Sequence, residues 1–191
     1  MKKIPTLFTR VFENHKIVDI KDEITPGCEE AFKNGLARIK YDGSCCAIID
    51  GHFYKRYDCK KGKTPPKNAI ASCDPDPITG HWPHWVPVSK DDPADKWFME
   101  AFMNYATTHY VHEGTYEAVG PHFQGNPHGY PCDTLIKHST SNYLLDVPRT
   151  LEGVKKALST YEIEGIVFWL DGEPVCKIKR SDFGFEWPVK R

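Results

Sequence analysis

The chain contains no apolar run approaching the roughly 20 residues that span a bilayer. Its basic start, Met1-Lys2-Lys3-Ile4-Pro5, is broken by Thr6, Thr9 and Arg10 before an apolar signal core can form, so neither a membrane segment nor a secretory leader is expected. It also lacks any CxxC pair. Seven cysteines, an odd number, lie scattered at positions 28, 45, 46, 59, 73, 132 and 176. That spacing excludes a disulfide framework and paired zinc knuckles, and a reducing cytoplasm is the expected compartment. No charge sign dominates: 25 Lys and Arg against 26 Asp and Glu leave −1, so no global basic field announces a nucleic acid. Internal repeats and low-complexity tracts are absent. What remains is an ordinary globular composition, 40% hydrophobic and 27% charged over 191 residues, long enough for one domain spanning 1–191.

Two Asp-Gly hairpins organise the pattern. Ser44-Cys45-Cys46-Ala47-Ile48-Ile49 leads through Asp50-Gly51 into His52-Phe53-Tyr54-Lys55-Arg56-Tyr57, and residues 165–170 lead through Asp171-Gly172 into 174–179. Asp-Gly suits a type I′ turn, whose central residues need positive φ. Residues 35–41, 115–119 and 142–147 read as further strands. One helix is predicted from Asp92 as N-cap with Pro93 at its first position to about Thr107. Its stripe is Trp97, Phe98, Ala101, Phe102 and Tyr105. A second helix is predicted from Thr150, with Leu151, Val154 and Leu158 on one face. Seven prolines within residues 64–93 suggest a long surface excursion. The pattern is α+β with antiparallel strands dominating and few helices.

Several residues carry chemistry. Lys40-Tyr41-Asp42-Gly43 ends a strand with a lysine before an Asp-Gly turn. Such a lysine is a nucleophile if burial and nearby cations free its amine of the proton; otherwise it is a strand end before a turn. Lys177 and Lys179 share one face of their strand by the period of two, an arrangement that an anion such as a triphosphate would satisfy; an exposed edge strand is the alternative. Glu117 and Glu164 are candidate Mg²⁺ ligands beside phosphates, or else surface carboxylates or partners of Arg56. Residues 51–67 hold Lys55, Arg56, Lys60, Lys61, Lys63 and Lys67 against Asp58 alone, a local charge of +5. With Phe53, Tyr54 and Tyr57 interleaved, this is a candidate nucleic-acid surface, or a solvated loop. Nine histidines include His81-x2-His84 and His109-x2-His112, but neither spacing supplies a four-ligand set, so zinc is not expected. Of Cys45 and Cys46, at most one faces any pocket.

In chain order, Lys40-x-Asp42-Gly43, Arg56, Tyr116-Glu117-Ala118-Val119-Gly120-Pro121, Glu164-Gly165-Ile166-Val167-Phe168-Trp169 and Lys177-Ile178-Lys179 resemble a known motif series. It is that of the covalent nucleotidyltransferase superfamily of RNA ligases, DNA ligases and mRNA-capping guanylyltransferases. Motifs I, III, IV and V fall in family order across residues 40–179. The likeness is greatest to the RNA ligases: residues 116–121 resemble the phage RNA ligase 2 group. Residues 74–85 resemble vertebrate ligases that join 5′-phosphate to 3′-hydroxyl ends. Trp169 departs from the pattern, standing where the family usually has lysine.

The resemblance implies a nucleotidyltransferase (adenylation) fold with antiparallel sheets flanking a nucleotide pocket. It implies an ATP-dependent enzyme that seals RNA 5′-phosphate to 3′-hydroxyl ends, using Mg²⁺ or Mn²⁺. Lys40 would become a lysyl–AMP, Asp42 and Gly43 would shape its turn, and Arg56 and Glu117 would contact the ribose. Glu164 would hold metal, with Glu117 a second metal candidate, and Lys177 and Lys179 would clamp the α-phosphate. Tyr143, with Phe123 behind it, is the candidate adenine platform. Lys55, Lys60, Lys61, Lys63 and Lys67 would bind RNA. A monomer with no C-terminal OB-fold is expected, since the chain ends twelve residues after Lys179. The alternatives are a GTP-using guanylyltransferase, a DNA ligase, or a catalytically silent nucleic-acid-binding relative.

Overall fold

A computed structural model describes residues 3–14, 16–139 and 145–189. The elements in chain order are β1 (Phe8–Glu13), β2 (Lys16–Ile24), α1 (Glu29–Asn34), β3 (Leu36–Lys40), β4 (Ser44–Ile49), β5 (His52–Cys59), β6 (Ile70–Ala71) and β7 (Trp82–Pro87). They continue with α2 (Lys96–Thr108), β8 (Gly114–Val119), β9 (Thr134–Lys137), α3 (Leu151–Thr160), β10 (Gly165–Leu170) and β11 (Glu173–Lys179). The architecture is mixed α+β: three helices accompany mostly antiparallel sheets among the described residues. None of these helices is long and apolar enough to cross a membrane.

Two compact units are present: Met1–Lys3 with Asp42–Thr140, and Ile4–Tyr41 with Ser141–Arg191. The first is built on a six-stranded sheet in the order β6-β7-β5-β4-β8-β9. Its apolar face carries Cys46, Ile48, Tyr116, Ala118 and Leu135, packed against Ala101 and Tyr105 of α2. Helix α2 follows a capped 3₁₀ turn. The Asp92 carboxylate accepts the Ala94 N–H at 2.9 Å, Pro93 opens a single 3₁₀ turn, and the predicted stripe faces the sheet. The β4–β5 turn has Asp50 at φ 50° and Gly51 at φ 72°, and their N–H groups donate to the Glu113 carboxylate.

The second unit holds the sheet β11-β10-β3 and the separate β1–β2 hairpin. Ala37, Ile166, Phe168, Cys176 and Ile178 form its inner face, covered by Phe8, Phe32 of α1, and Val154 and Leu158 of α3. Phe32 meets Phe8 and Phe168 edge to face, each at 5.4 Å. Thr150 caps α3 by accepting the Gly153 N–H. Residues 171 and 172 repeat the positive-φ turn at 49° and 83°.

Three expectations about elements need correction. Residues 64–93 are not one surface excursion, because β6 and β7 lie within them and β7 pairs with β5 from Trp82 to Pro87. The prolines permit this. The Pro83 carbonyl accepts from the Ser72 N–H, so residues 83, 85 and 87 turn their main-chain polar groups toward short β6. The missing proline donors therefore fall outside the β5 ladder. The strand expected at 142–147 is not formed over 145–147, where Leu145 donates to the Ala37 carbonyl without a ladder; residues 142–144 lie outside the described residues. Finally, α2 begins at Lys96 rather than at Pro93, because a 3₁₀ turn over Pro93–Asp95 comes between Asp92 and the α-helix.

Candidate functional site

Register brings the second unit's charged residues together. Gly165 is the cross-strand partner of Lys40 on β3 and of Lys179 on β11. Directly opposed residues share a face, so the two lysines flank a position without a side chain. A Cβ at Gly165 would meet the Ile178 carbonyl oxygen at 2.3 Å, which reserves the position for glycine. Glu164, immediately before, is buried at 6% exposure. One of its oxygens pairs with the Lys40 ammonium and the other with Lys179, at 2.5 Å in the latter case. One carboxylate therefore bridges two ammonium groups. The Glu164 main chain is fixed as well, its carbonyl accepting from the Arg180 N–H.

Lys177 lies in the next row, opposite Val167. Burial, followed by the charges of Lys40, Lys179 and Arg10 and opposed by Glu164, lowers its pKa to about 8. This places an under-compensated cation on a face that already carries two others. An unfolded lysine titrates near 10.4, so the folded protein gives up this proton first. Stability should therefore rise as pH climbs from about 8 toward 10.4. Lys177→Met is expected to be more stable than the parent at pH 7 by about 2 kcal/mol, with the gap closing near pH 10. Urea unfolding at the two pH values checks this. A gap independent of pH would contradict it.

Two further cations join this face or support it. Arg38 on β3 is paired with Val167, placing it in the same row as Lys177, and its guanidinium lies 5.9 Å from the centroid of the Trp169 ring. Trp169, where the chain departs from the motif series, thus has a neighbouring arginine. Arg10 on β1 bonds Asp182 at 2.5 Å, and the other Asp182 oxygen accepts the Lys179 N–H at 2.8 Å. Asp182 is buried and fixes the end of β11. Sequence patterning missed both arginines, because only strand register relates them to the lysines.

The first unit carries the remaining candidates. Asp42 donates its main-chain N–H to His128 Nε2 at 2.8 Å. Gly43 is sterically required, since a Cβ would meet the Ala118 carbonyl oxygen at 2.2 Å. Cys45 of β4 is opposite Glu117 of β8, and of the cysteine pair it is the one on that face; Cys46 lies in the core. Burial and the Glu117 charge push the Cys45 thiol up to about 12, with Arg56 opposing. Arg56 bonds Asp58 at 2.9 Å and borders a cleft of about 160 Å³ lined also by Cys73, Asp76 and His81. Glu117 receives His138 at 3.1 Å, a contact that no motif announced.

The basic stretch is divided. Lys60, Lys61, Lys63 and Lys67 are exposed on two consecutive turns, 60–63 and 66–69, with Gly62 and Asn68 at positive φ. Cys59 is buried beneath them and donates to the Lys63 carbonyl. Lys55 is separated from this group: it is the partner of core residue Cys46 and forms an ion pair with buried Asp95. Phe53 also faces the helix, stacked on Phe102 at 5.1 Å, whereas Tyr57 is 40% exposed. Phe123 is a core residue against Phe98. Tyr143 lies outside the described residues. Among the described residues no cluster of three or more His, Cys, Asp or Glu forms a metal cage.

No family model matches the chain. It is similar to RNA ligase 1 of Danio rerio, 28% identical over 143 residues, which cover 58% of this chain and 43% of the relative. The chain thus spans less than half the length of that protein.

Proposed function

We propose that the protein is an ATP-dependent RNA ligase with a nucleotidyltransferase fold, joining 5′-phosphate to 3′-hydroxyl ends through a lysyl–AMP intermediate. The observation that carries this reading is the cationic face around Lys40. Lys40 and Lys179 pair there with a single buried carboxylate, and Lys177 beside them has its affinity for a proton lowered by burial and then by the neighbouring cations. Such a face calls for a polyanion. The similarity to an RNA ligase supports the choice of chemistry.

In this reading the unprotonated Lys40 amine attacks the α-phosphorus of ATP. A P–N bond forms, the bond to the bridging oxygen breaks, and pyrophosphate leaves. An RNA 5′-phosphate oxygen then displaces the lysine, giving a 5′–5′ pyrophosphate linkage. A 3′-hydroxyl, losing its proton, attacks the RNA 5′-phosphorus and expels AMP. Lys177 and Lys179 hold α-phosphate oxygens as charge builds on them, Arg56 and Glu117 contact the ribose, and Asp42 and Gly43 set the turn after Lys40. Tyr143 is the proposed adenine platform.

Mg²⁺ takes one or two carboxylates together with phosphate oxygens and water, so it does not require a protein cage. Glu164 fits that role because it is a buried carboxylate within the cationic face, and Glu117 is the second candidate. Bound there, Mg²⁺ or Mn²⁺ would neutralise phosphoryl charge.

The proposed RNA surface is the pair of lysine-bearing turns. Replacing Lys60, Lys61, Lys63 and Lys67 by Gln is expected to weaken binding of single-stranded RNA. The log–log salt dependence should flatten by about 0.7 for each phosphate no longer neutralised. Fluorescence anisotropy across a salt series measures both. An unchanged slope would remove the turns from the interface. Lys55, already paired with Asp95, is expected to contribute less than the other four.

The reading as a whole is tested with 5′-labelled RNA bearing a 3′-hydroxyl, incubated with ATP and Mg²⁺. Sealing renders the label resistant to phosphatase. Sealing of DNA in preference to RNA would point to a DNA ligase, and RNA binding without sealing to a silent relative.

A further inference from the structure

His138 stands directly after β9, opposite Thr115, and its ring is held at both nitrogens. Nδ1 is 3.0 Å from Thr115 Oγ1, and Nε2 is 3.1 Å from Glu117 Oε2. The main chain is fixed too, the His138 N–H donating to the Thr115 carbonyl. A carboxylate only accepts, so Nε2 carries a proton and donates to Glu117. In the neutral ring Nδ1 then accepts the Thr115 hydroxyl proton. Both side chains are largely shielded, at 16% exposure for His138 and 14% for Glu117, so the bond operates away from bulk water. On the strand itself Glu117 has Cys45 and Ile136 as cross-strand neighbours, neither of which donates strongly to a carboxylate.

We propose that His138 is a positioning residue for Glu117, holding Oε2 so that Oε1 is the oxygen presented to the nucleotide ribose. The inference rests on the nucleotide-binding reading given above. It assigns a role to a histidine that lies outside all four sequence motifs, 21 residues from the carboxylate it orients. A fixed carboxylate loses no rotamer entropy on meeting its ligand, so removing the residue that fixes it acts on binding more than on the chemical step.

The test is steady-state ATP–pyrophosphate exchange, which reads reversible formation of the protein–nucleotide adduct, over a range of ATP concentrations. His138→Ala is expected to raise KM for ATP about tenfold, with kcat within about threefold. His138→Gln, whose amide donates in place of Nε2–H, should recover most of the affinity. In a Glu117→Ala background, His138→Ala should have no further effect. If His138→Ala does not fold, Thr115→Val removes the Nδ1 anchor alone and should raise KM several-fold. Unchanged KM in the variants, or an equal rise with and without Glu117, would overturn the assignment. A wild-type protein that takes no nucleotide at all would overturn the parent reading and this inference with it.

Discussion

Lys40→Ala is expected to lose ATP-dependent RNA sealing by on the order of a thousandfold or more, because removing a covalent nucleophile removes the first step rather than weakening it. The same variant should still seal RNA supplied with an adenylylated 5′ end. That substrate bypasses the lysine, and Glu164, Lys177 and Lys179 remain. Folding should be little affected, since Lys40 lies at a strand end and is 22% exposed. Lys40→Arg should behave as Lys40→Ala does in the ATP-dependent reaction, a guanidinium being protonated throughout the usable pH range. Sealing at the parental rate by either variant would exclude Lys40 as nucleophile.

Glu164→Ala is expected to fail in a different way. Its carboxylate bridges Lys40 and Lys179, so its loss leaves three neighbouring lysines repelling one another. Both ATP-dependent sealing and sealing of pre-adenylylated RNA should fall by about a hundredfold or more, because the proposed metal ligand serves every phosphoryl transfer. Stability at neutral pH should fall by about 2 kcal/mol, less than for a fully buried pair because both lysines are partly solvated. Glu164→Gln should reproduce much of the loss, since a neutral amide has one carbonyl oxygen and no charge to offer. Rates with both substrates and a urea midpoint separate these effects. Retention of both activities would remove Glu164 from the site.

The sequence is readable where local chemistry and tertiary structure agree. Both Asp-Gly hairpins form because their turn residues accept positive φ between strand-forming runs; α3 begins at its predicted cap, and Asp92 caps the 3₁₀ turn that precedes α2. It is unreadable where a local breaker is neutralised by a neighbour. Pro83 and Pro87 argue against a strand, yet their missing donors face the side where β6 is only two residues long. Hairpin β1–β2 has no Asp-Gly signal and includes irregular register, so no local pattern marks it.

The candidate site divides similarly. Lys177 and Lys179 fall on one face by strand periodicity alone, but their relation to Lys40 is set by Gly165, which both outer strands share as a partner. Pattern along one strand cannot supply that. Arg10 and His138 bond Asp182 and Glu117, residues far away in sequence, and neither sits in a motif. Lys55 shows the reverse error: charge clustering groups it with Lys60, whereas strand alternation places it opposite core residue Cys46 and beside Asp95.

The most direct measurement is nucleotide transfer to the protein itself. The wild-type chain, stripped of bound nucleotide, is incubated with ATP labelled at the α-phosphate and Mg²⁺, then run on a denaturing gel beside Lys40→Ala and a GTP control. The account predicts a labelled band from ATP that is absent in the variant. Label from GTP alone would move the protein to capping chemistry, and no label from either nucleotide in folded protein would contradict the ligase reading.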